Sequence, residues 1–240
     1  MKKLFLLLFT FISIAAIAQD NNPENDPNAQ KRAFNGSFTA IVISDGIDLF
    51  LAQGKEETIT VSAVDQKYLP QLKTEVDNGI LKIYFKTRAI KWVKSEKARL
   101  KVWVSFKTLE ALTCSSGAVV TATGELDLAD MNMKFTSGSV FSGGLNAKQL
   151  TIEQSGGSII NLSGKADKLI IKVSSGAIFK SYDLAVDYCD AIASSGAGIR
   201  VTINKELNAK ASSGAGIHYK GKTLVRDVSI TSGGVVKHEQ

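Results

Sequence analysis

One phrase constrains this chain more than any other: Ser-Ser-Gly, or a close variant of it, returns seven times across the second half. The residues that close each phrase are Gly117, Gly138, Gly157, Gly176, Gly196, Gly214 and Gly233, spaced by 21, 19, 19, 20, 18 and 19. A single such string is turn punctuation. Its return at a near-constant interval marks a stacked repeat architecture.

The residues around these anchors fall into columns. Two before each anchor stands a hydroxyl: Ser115, Thr136, Ser155, Ser174, Ser194, Ser212 and Thr231. Five before, the column is apolar (Leu112, Met133, Ile152, Ile171, Ala191, Ala209, Val228), and three after it is apolar again (Val120, Phe141, Ile160, Phe179, Ile199, Ile217, Val236). Between them polarity alternates, as in "LIIKVSSG", which predicts strands rather than helices. A second turn signal follows most anchors by about seven residues, at Gly124, Gly144, Gly164, Asp183, Asn204 and Gly221. Each unit therefore reads as strand, Ser-Ser-Gly corner, strand, second corner and return. One unit cannot bury its own apolar face, whereas stacked units share a continuous core. A sandwich or up-and-down barrel also spaces short strands at about 8–12 residues, but seven aligned columns favour an all-β, β-helix-like solenoid.

The flanks are less regular. The opening "MKKLFLLLFTFISIAAIA" combines two lysines, an apolar run and an A-x-A site, so residues 1–18 read as a secretory signal peptide. The rival is an uncleaved anchor, but Leu4 to Ala18 falls short of the roughly 20 residues a membrane span needs. No Cys follows Ala18, which argues against a lipid anchor. No later segment is apolar and long enough to span a membrane, so after cleavage the chain is not expected to cross one. Residues 19–33 are polar with two prolines and are expected to be a disordered tether. Residues 34–106 are strand-rich with longer, irregular units and an Asn-Gly hairpin signal in "VDNGILKIYFK". They are expected to form an N-terminal β segment of the same domain, capping or continuing the stack. Residues 107–240 would then form about seven coils.

Cys114 and Cys189 share the inward parity but lie four coils apart, about 19 Å at the strand spacing. A disulfide needs Cα atoms within about 7 Å. Two buried free thiols are expected.

The whole chain from residue 34 to 238 resembles the head GIN domain family of putative auto-transporter adhesins. The likeness rests on "FTAIVISDGIDLFLAQG" with its Gly46-Ile47-Asp48 triplet, on "VDNGILKIYFK", and on corners introduced by segments such as "LNAKQLTI" and "KADKLIIKV". The resemblance implies an exported protein of Bacteroidota type with an all-β, right-handed helix-like fold: periplasmic, on the outer-membrane surface or extracellular. It implies little chemistry. Where that family often carries Asp two residues after the anchor, this chain carries Val119, Val140, Ile159, Ile178, Gly198, Gly216 and Val235. Facing outward, the first four would make an apolar ridge suited to a partner or a second copy. Alternatively the corner bulges and the column turns inward.

Catalytic constellations are not evident. His218 and His238 are the two histidines, and no zinc, thiol-redox or phosphate-loop motif appears. No metal or cofactor is expected. Asp183, Asp187 and Asp190 form the best acidic cluster, and Asp167 shares the column of Asp187, so a polysaccharide-cleaving pair of carboxylates is a reading to test. Removing Lys2 and Lys3 from 29 basic residues leaves 27 against 23 acidic ones, net +4, well short of a nucleic-acid binder. The charge is patterned, however. Four residues after the anchors stand Thr121, Ser142, Asn161, Lys180, Arg200, His218 and Lys237, so the last four coils carry a basic ladder. A second outward column, four before the anchor, holds Lys134, Lys172 and Lys210. Such spacing suits an acidic glycan or another anionic envelope component, although solubilising lysines that guard strand edges would look similar. The expected function is a non-catalytic adhesion or glycan-binding surface. The alternatives are a self-assembling envelope protein and, further off, a polysaccharide-cleaving enzyme.

Overall fold

The computed structural model describes residues 22–86 and 99–240; the expected signal peptide lies outside them. Apart from two short 3-10 turns, its regular structure is β, wound into a solenoid of about seven turns. The strands are β1 (Gln30–Lys31), β2 (Ala40–Ile43), β3 (Asp48–Gln53), β4 (Thr58–Ala63), β5 (Leu72–Asp77), β6 (Ile80–Phe85), β7 (Leu100–Phe106) and β8 (Ala111–Cys114). There follow β9 (Val119–Phe135), β10 (Val140–Gln154), β11 (Ile159–Val173), β12 (Ile178–Ala193), β13 (Gly198–Ala211), β14 (Gly216–Lys220), β15 (Leu224–Ile230) and β16 (Val235–His238).

The Ser-Ser-Gly corner is a turn with two consecutive left-handed residues. Ser116 and Gly117 have φ of 53° and 74°, and Ser195 and Gly196 have 53° and 69°. This is the type I′ pattern, which requires positive φ at both central residues. The Ala118 amide closes the turn onto the Ser115 carbonyl at 3.1 Å. Corners also bond to one another. Gly117, Gly138, Gly157, Gly176, Gly196 and Gly214 each donate a backbone N–H to the corresponding carbonyl one coil on, at 2.9–3.1 Å. The residue after each of the first six anchors is buried and small: Ala118, Ser139, Ser158, Ala177, Ala197 and Ala215. Where it is Ser, the hydroxyl is satisfied, Ser139 donating to the Cys114 carbonyl at 3.1 Å and Ser158 to that of Phe135 at 3.0 Å.

The second corner is not a break. β9 to β13 run through it as continuous strands of 14–17 residues that bend at register irregularities, for example between Ile160 and Gly164. At that bend the Ser181 hydroxyl accepts from the Leu162 amide at 2.9 Å. From β9 to β13 pairing is parallel throughout, so each column of the sequence becomes a physical stack. The apolar columns are the core. Phe135 packs edge-on against Phe141 with centroids 5.9 Å apart, and both are fully buried. Cys114 and Cys189 are buried free thiols, and burial pushes Cys114 up to about 12 and Cys189 higher still.

The N-terminal region adds coils in an order different from the chain's own. Asp45 and Gly46, with φ of 65° and 66°, form an eighth copy of the corner, and the Gly46 amide donates to the Ser116 carbonyl at 3.0 Å. On either side of it β2 stacks on β8 and β3 on β9. β6 and β7 extend the stack one level further, pairing in parallel with β2 and β3 although they come later in the chain. Beyond them the sheet reverses. β5 pairs antiparallel with β6 through the expected Asn78-Gly79 hairpin, and β4 pairs antiparallel with β7.

Residues 22–33 do not match the expected disordered tether. β1 pairs antiparallel with β4, and Asp26 accepts the Ser62 hydroxyl at 3.0 Å and lies 3.6 Å from the Lys101 ammonium. The Arg32 guanidinium donates to the Leu69 carbonyl at 2.9 Å. This polar segment is ordered by the sheet edge it covers, a tertiary partner that composition does not reveal.

Candidate functional site

The strand leaving each corner alternates strictly. The first and third residues out, two and four after the anchor, point outward, and the residue between them is buried, as Val120, Phe141, Ile160, Phe179, Ile199 and Ile217 are. The column two after the anchor therefore faces solvent. Val119, Val140, Ile159 and Ile178 stand in register on successive coils, with Ile159 and Ile178 each 38% exposed. The inward reading of that column does not hold, because type I′ corners return the chain without a bulge.

The basic ladder is also in register: Lys180 opposite Arg200, Arg200 opposite His218, and His218 opposite Lys237. Adjacent rungs are about 4.8 Å apart. The ridge and the ladder are neighbouring columns of one face, two residues apart along each strand, so apolar and cationic rows run side by side.

The rungs are not electrically equal. Glu239 accepts from His218 Nδ1 at 2.7 Å and lies 3.3 Å from the Lys237 ammonium. Those two contacts, His218 first, hold the Glu239 carboxyl below the usual carboxylate range. The last two rungs thus share a counter-ion. Among the described residues no ion pair engages Lys180 or Arg200. Beside Lys180 lies a shallow groove of about 360 Å³ lined by Ser142, Asn161, Ser163, Lys180 and Asp183. Lys180 thus adjoins a row of hydroxyls, an amide and the Asp183 carboxylate.

Followed the other way, the same column leads past Thr121 to Phe50 and then Trp103. Their rings stack with centroids 5.6 Å apart and an interplanar angle of 22°, beside a second groove of about 470 Å³ that Asn22 and Pro23 help to line. Phe50 and Trp103 escaped the sequence reading because Gly46 was not counted as an anchor. Four residues beyond it stands Phe50, and that spacing was the available signal.

Other candidates are dispersed. Lys134, Lys172 and Lys210 lie on the strand before the corner, so they do not extend the ladder, and Lys134 is 3.7 Å from Glu153. Asp183, Asp187 and Asp190 do not converge. Asp183 lines the groove, Asp187 is bound to Lys205 at 2.6 Å, and Asp190 accepts from Asn208 at 2.7 Å. Asp167 and Asp187 do share one corner, since their flanking residues pair as Ala166 with Val186 and Lys168 with Tyr188. The ammonium of Lys205 already occupies Asp187. Among the described residues, no group of three or more His, Cys, Asp or Glu side chains is placed to hold a metal ion. Nor is any helix among them long and apolar enough to cross a membrane.

Comparison with known proteins follows the same lines. The family model described as "Putative auto-transporter adhesin, head GIN domain" matches residues 37–223. No curated protein matches the chain. Among solved structures, a putative adhesin from Bacteroides fragilis superposes with a TM-score of 0.78 at 13% identity, over 88% of this chain and 96% of that one. A putative adhesin from Parabacteroides merdae gives 0.64 at 16% identity over 90% and 98%. A structure from Parabacteroides distasonis named as a putative lipid binding protein gives 0.62 at 18% over 90% and 98%. At these identities the likeness is one of fold.

Proposed function

Since the chain belongs to the head GIN domain family of putative auto-transporter adhesins, we propose that it is an exported, non-catalytic binding surface whose outer face after the corner grips an acidic polymer of the cell envelope, an acidic glycan above all. The observation that carries this reading is the register of Lys180 with Arg200, which adjoins, across the bend at Ile160–Gly164, the paired amide and hydroxyl of Asn161 and Ser142 in one groove. A rigid row of donors about 4.8 Å apart meets an extended chain of repeating anions without first having to order itself. The ridge of Ile159 and Ile178 alongside offers apolar contact to sugar-ring faces. Lys180 and Arg200 carry most of the charge recognition, because Glu239 already occupies His218 and Lys237.

The test is binding of the purified protein to acidic and neutral polysaccharides at low and physiological salt, with anionic and neutral lipid vesicles as separate arms. An acidic glycan is expected to bind in a salt-sensitive way. The Lys180→Ser/Arg200→Ser variant should lose at least about tenfold in affinity, equivalent to some 1.4 kcal/mol, while Lys237→Ser should lose far less. Equal binding by the double variant, or binding to vesicles alone, defeats the proposal.

A further inference from the structure

The stack has two ends, finished in different ways. At the first, the outer strands are antiparallel additions, edged by the two-residue β1, and the neighbouring Leu69 and Leu72 are buried. At the second, among the described residues, nothing plays that part. β15 pairs only with β13 and β16 only with β14, so each presents an unpaired row of backbone donors and acceptors. Every residue of β15 is exposed. Val228 occupies the column that buries Met133, Ile152 and Ile171, yet it is 41% exposed, and Ile230, in the column of Phe135 and Val173, is 50% exposed. These are core positions without a covering layer.

We propose that this end docks a second copy of the chain, the two stacks meeting end to end about a two-fold axis through β15. The proposal is independent of the ladder reading. At the first end the edges are β5, of six residues, and β1, of two, so head-to-tail stacking would set β15 against β5 but leave β16 facing the two-residue β1. Like ends instead set β15 against β15, and a two-fold contact between identical strands is antiparallel.

The sequence of β15 then selects its own register. Arg226 and Asp227 are neighbours at its centre. An axis passing between them sets Arg226 of each copy opposite Asp227 of the other, and Val225 opposite Val228. An axis on either residue would set like charges face to face, which destabilises a strand pair. The inward and outward sides agree as well. Val225 pairs with buried Leu207 and Val228 with buried Ala209, and the irregularity at Leu207/Asn208 leaves Arg226 as the extra residue between them. Without that extra residue, positions three apart would face opposite sides, and the charged register would set a core residue against a surface one. With it, the two valines meet on the core side.

Sedimentation equilibrium of the purified chain tests this. A concentration-dependent dimer is expected. Arg226→Asp and Asp227→Arg should each weaken it at least tenfold, while circular dichroism melts show that both variants fold. Asp227→Arg leaves the 2.7 Å pair between Arg226 and Glu206 intact, so it stays informative should Arg226→Asp disturb the monomer. An equimolar mixture of the two variants should dimerise again, because one then carries two acids at the strand centre and the other two bases. A monomer at every concentration, a dimer indifferent to both substitutions, or a mixture that stays monomeric overturns the proposal.

Discussion

The closed region, residues 22–110, and the repetitive region, residues 111–240, share one hydrophobic core but are specified differently. In the repetitive region each coil touches the coil before it and the coil after it, and one turn chemistry recurs at each corner. In the closed region β6 and β7 are inserted beneath strands that precede them, and antiparallel strands finish the edge. The difference teaches that a solenoid can be extended by rule but must be terminated by exception. Stability in such a stack is close to a sum of neighbour terms, so position along the axis should decide what a substitution costs.

The sharpest test pairs a mid-stack residue with one at the open end. Phe141→Ala removes a fully buried ring packed on Phe135 and should cost about 3–5 kcal/mol. Val228→Ala, in an equivalent inward column but half uncovered, should cost less than about 1 kcal/mol. Equal losses in urea melts would dissolve the distinction. At the closed end, Asp26→Ala strands the buried Ser62 hydroxyl and should cost about 1–3 kcal/mol in the same melts. An unchanged midpoint would mean that residues 22–33 do not hold the edge shut.

The thiols report on the same asymmetry. Both are buried, so a labelling reagent reaches them only through opening. Cys189 lies nearer the open end and should react faster than Cys114 under native conditions. Burial keeps both thiols protonated in the fold, with Cys114 pushed up to about 12, whereas unfolded thiols ionise near 8.5. Above about pH 8.5 the unfolded state therefore binds fewer protons than the native one, and stability falls as pH rises. The slope should approach about 1.4 kcal/mol per pH unit for each thiol, and the Cys114→Ala/Cys189→Ala variant should flatten it. An identical slope in that variant would refute the assignment. A modest effect concerns a corner. Gly157→Ala meets no neighbouring atom but keeps φ at 71°, so it should cost about 1 kcal/mol from backbone strain alone.

The repetitive region was legible in the sequence because two left-handed residues admit few residue types, so the corner chemistry prints itself on every coil. The rungs of the ladder were placed by counting four from each anchor, and parallel pairing made that count spatial. Asp45-Gly46 uses the same turn, but Asp stands where the later copies carry Ser or Gly, and about 70 residues separate it from the next copy. The eighth corner, and with it Phe50 and Trp103, therefore went unseen. The fate of residues 22–33 depended on an edge built by strands far away in the chain. Glu239 contacts two rungs from a position just past the last strand, outside the columns counted.

The bonds between coils run along the stack axis, and this sets how the molecule carries load. Force applied between its ends would bear on one coil interface at a time and peel the strands apart in sequence. Each freed coil of about 19 residues would release on the order of 60 Å of chain. A protein built in this way yields to a tug by lengthening in steps, dissipating work at each, and keeps its remaining coils attached to whatever they hold.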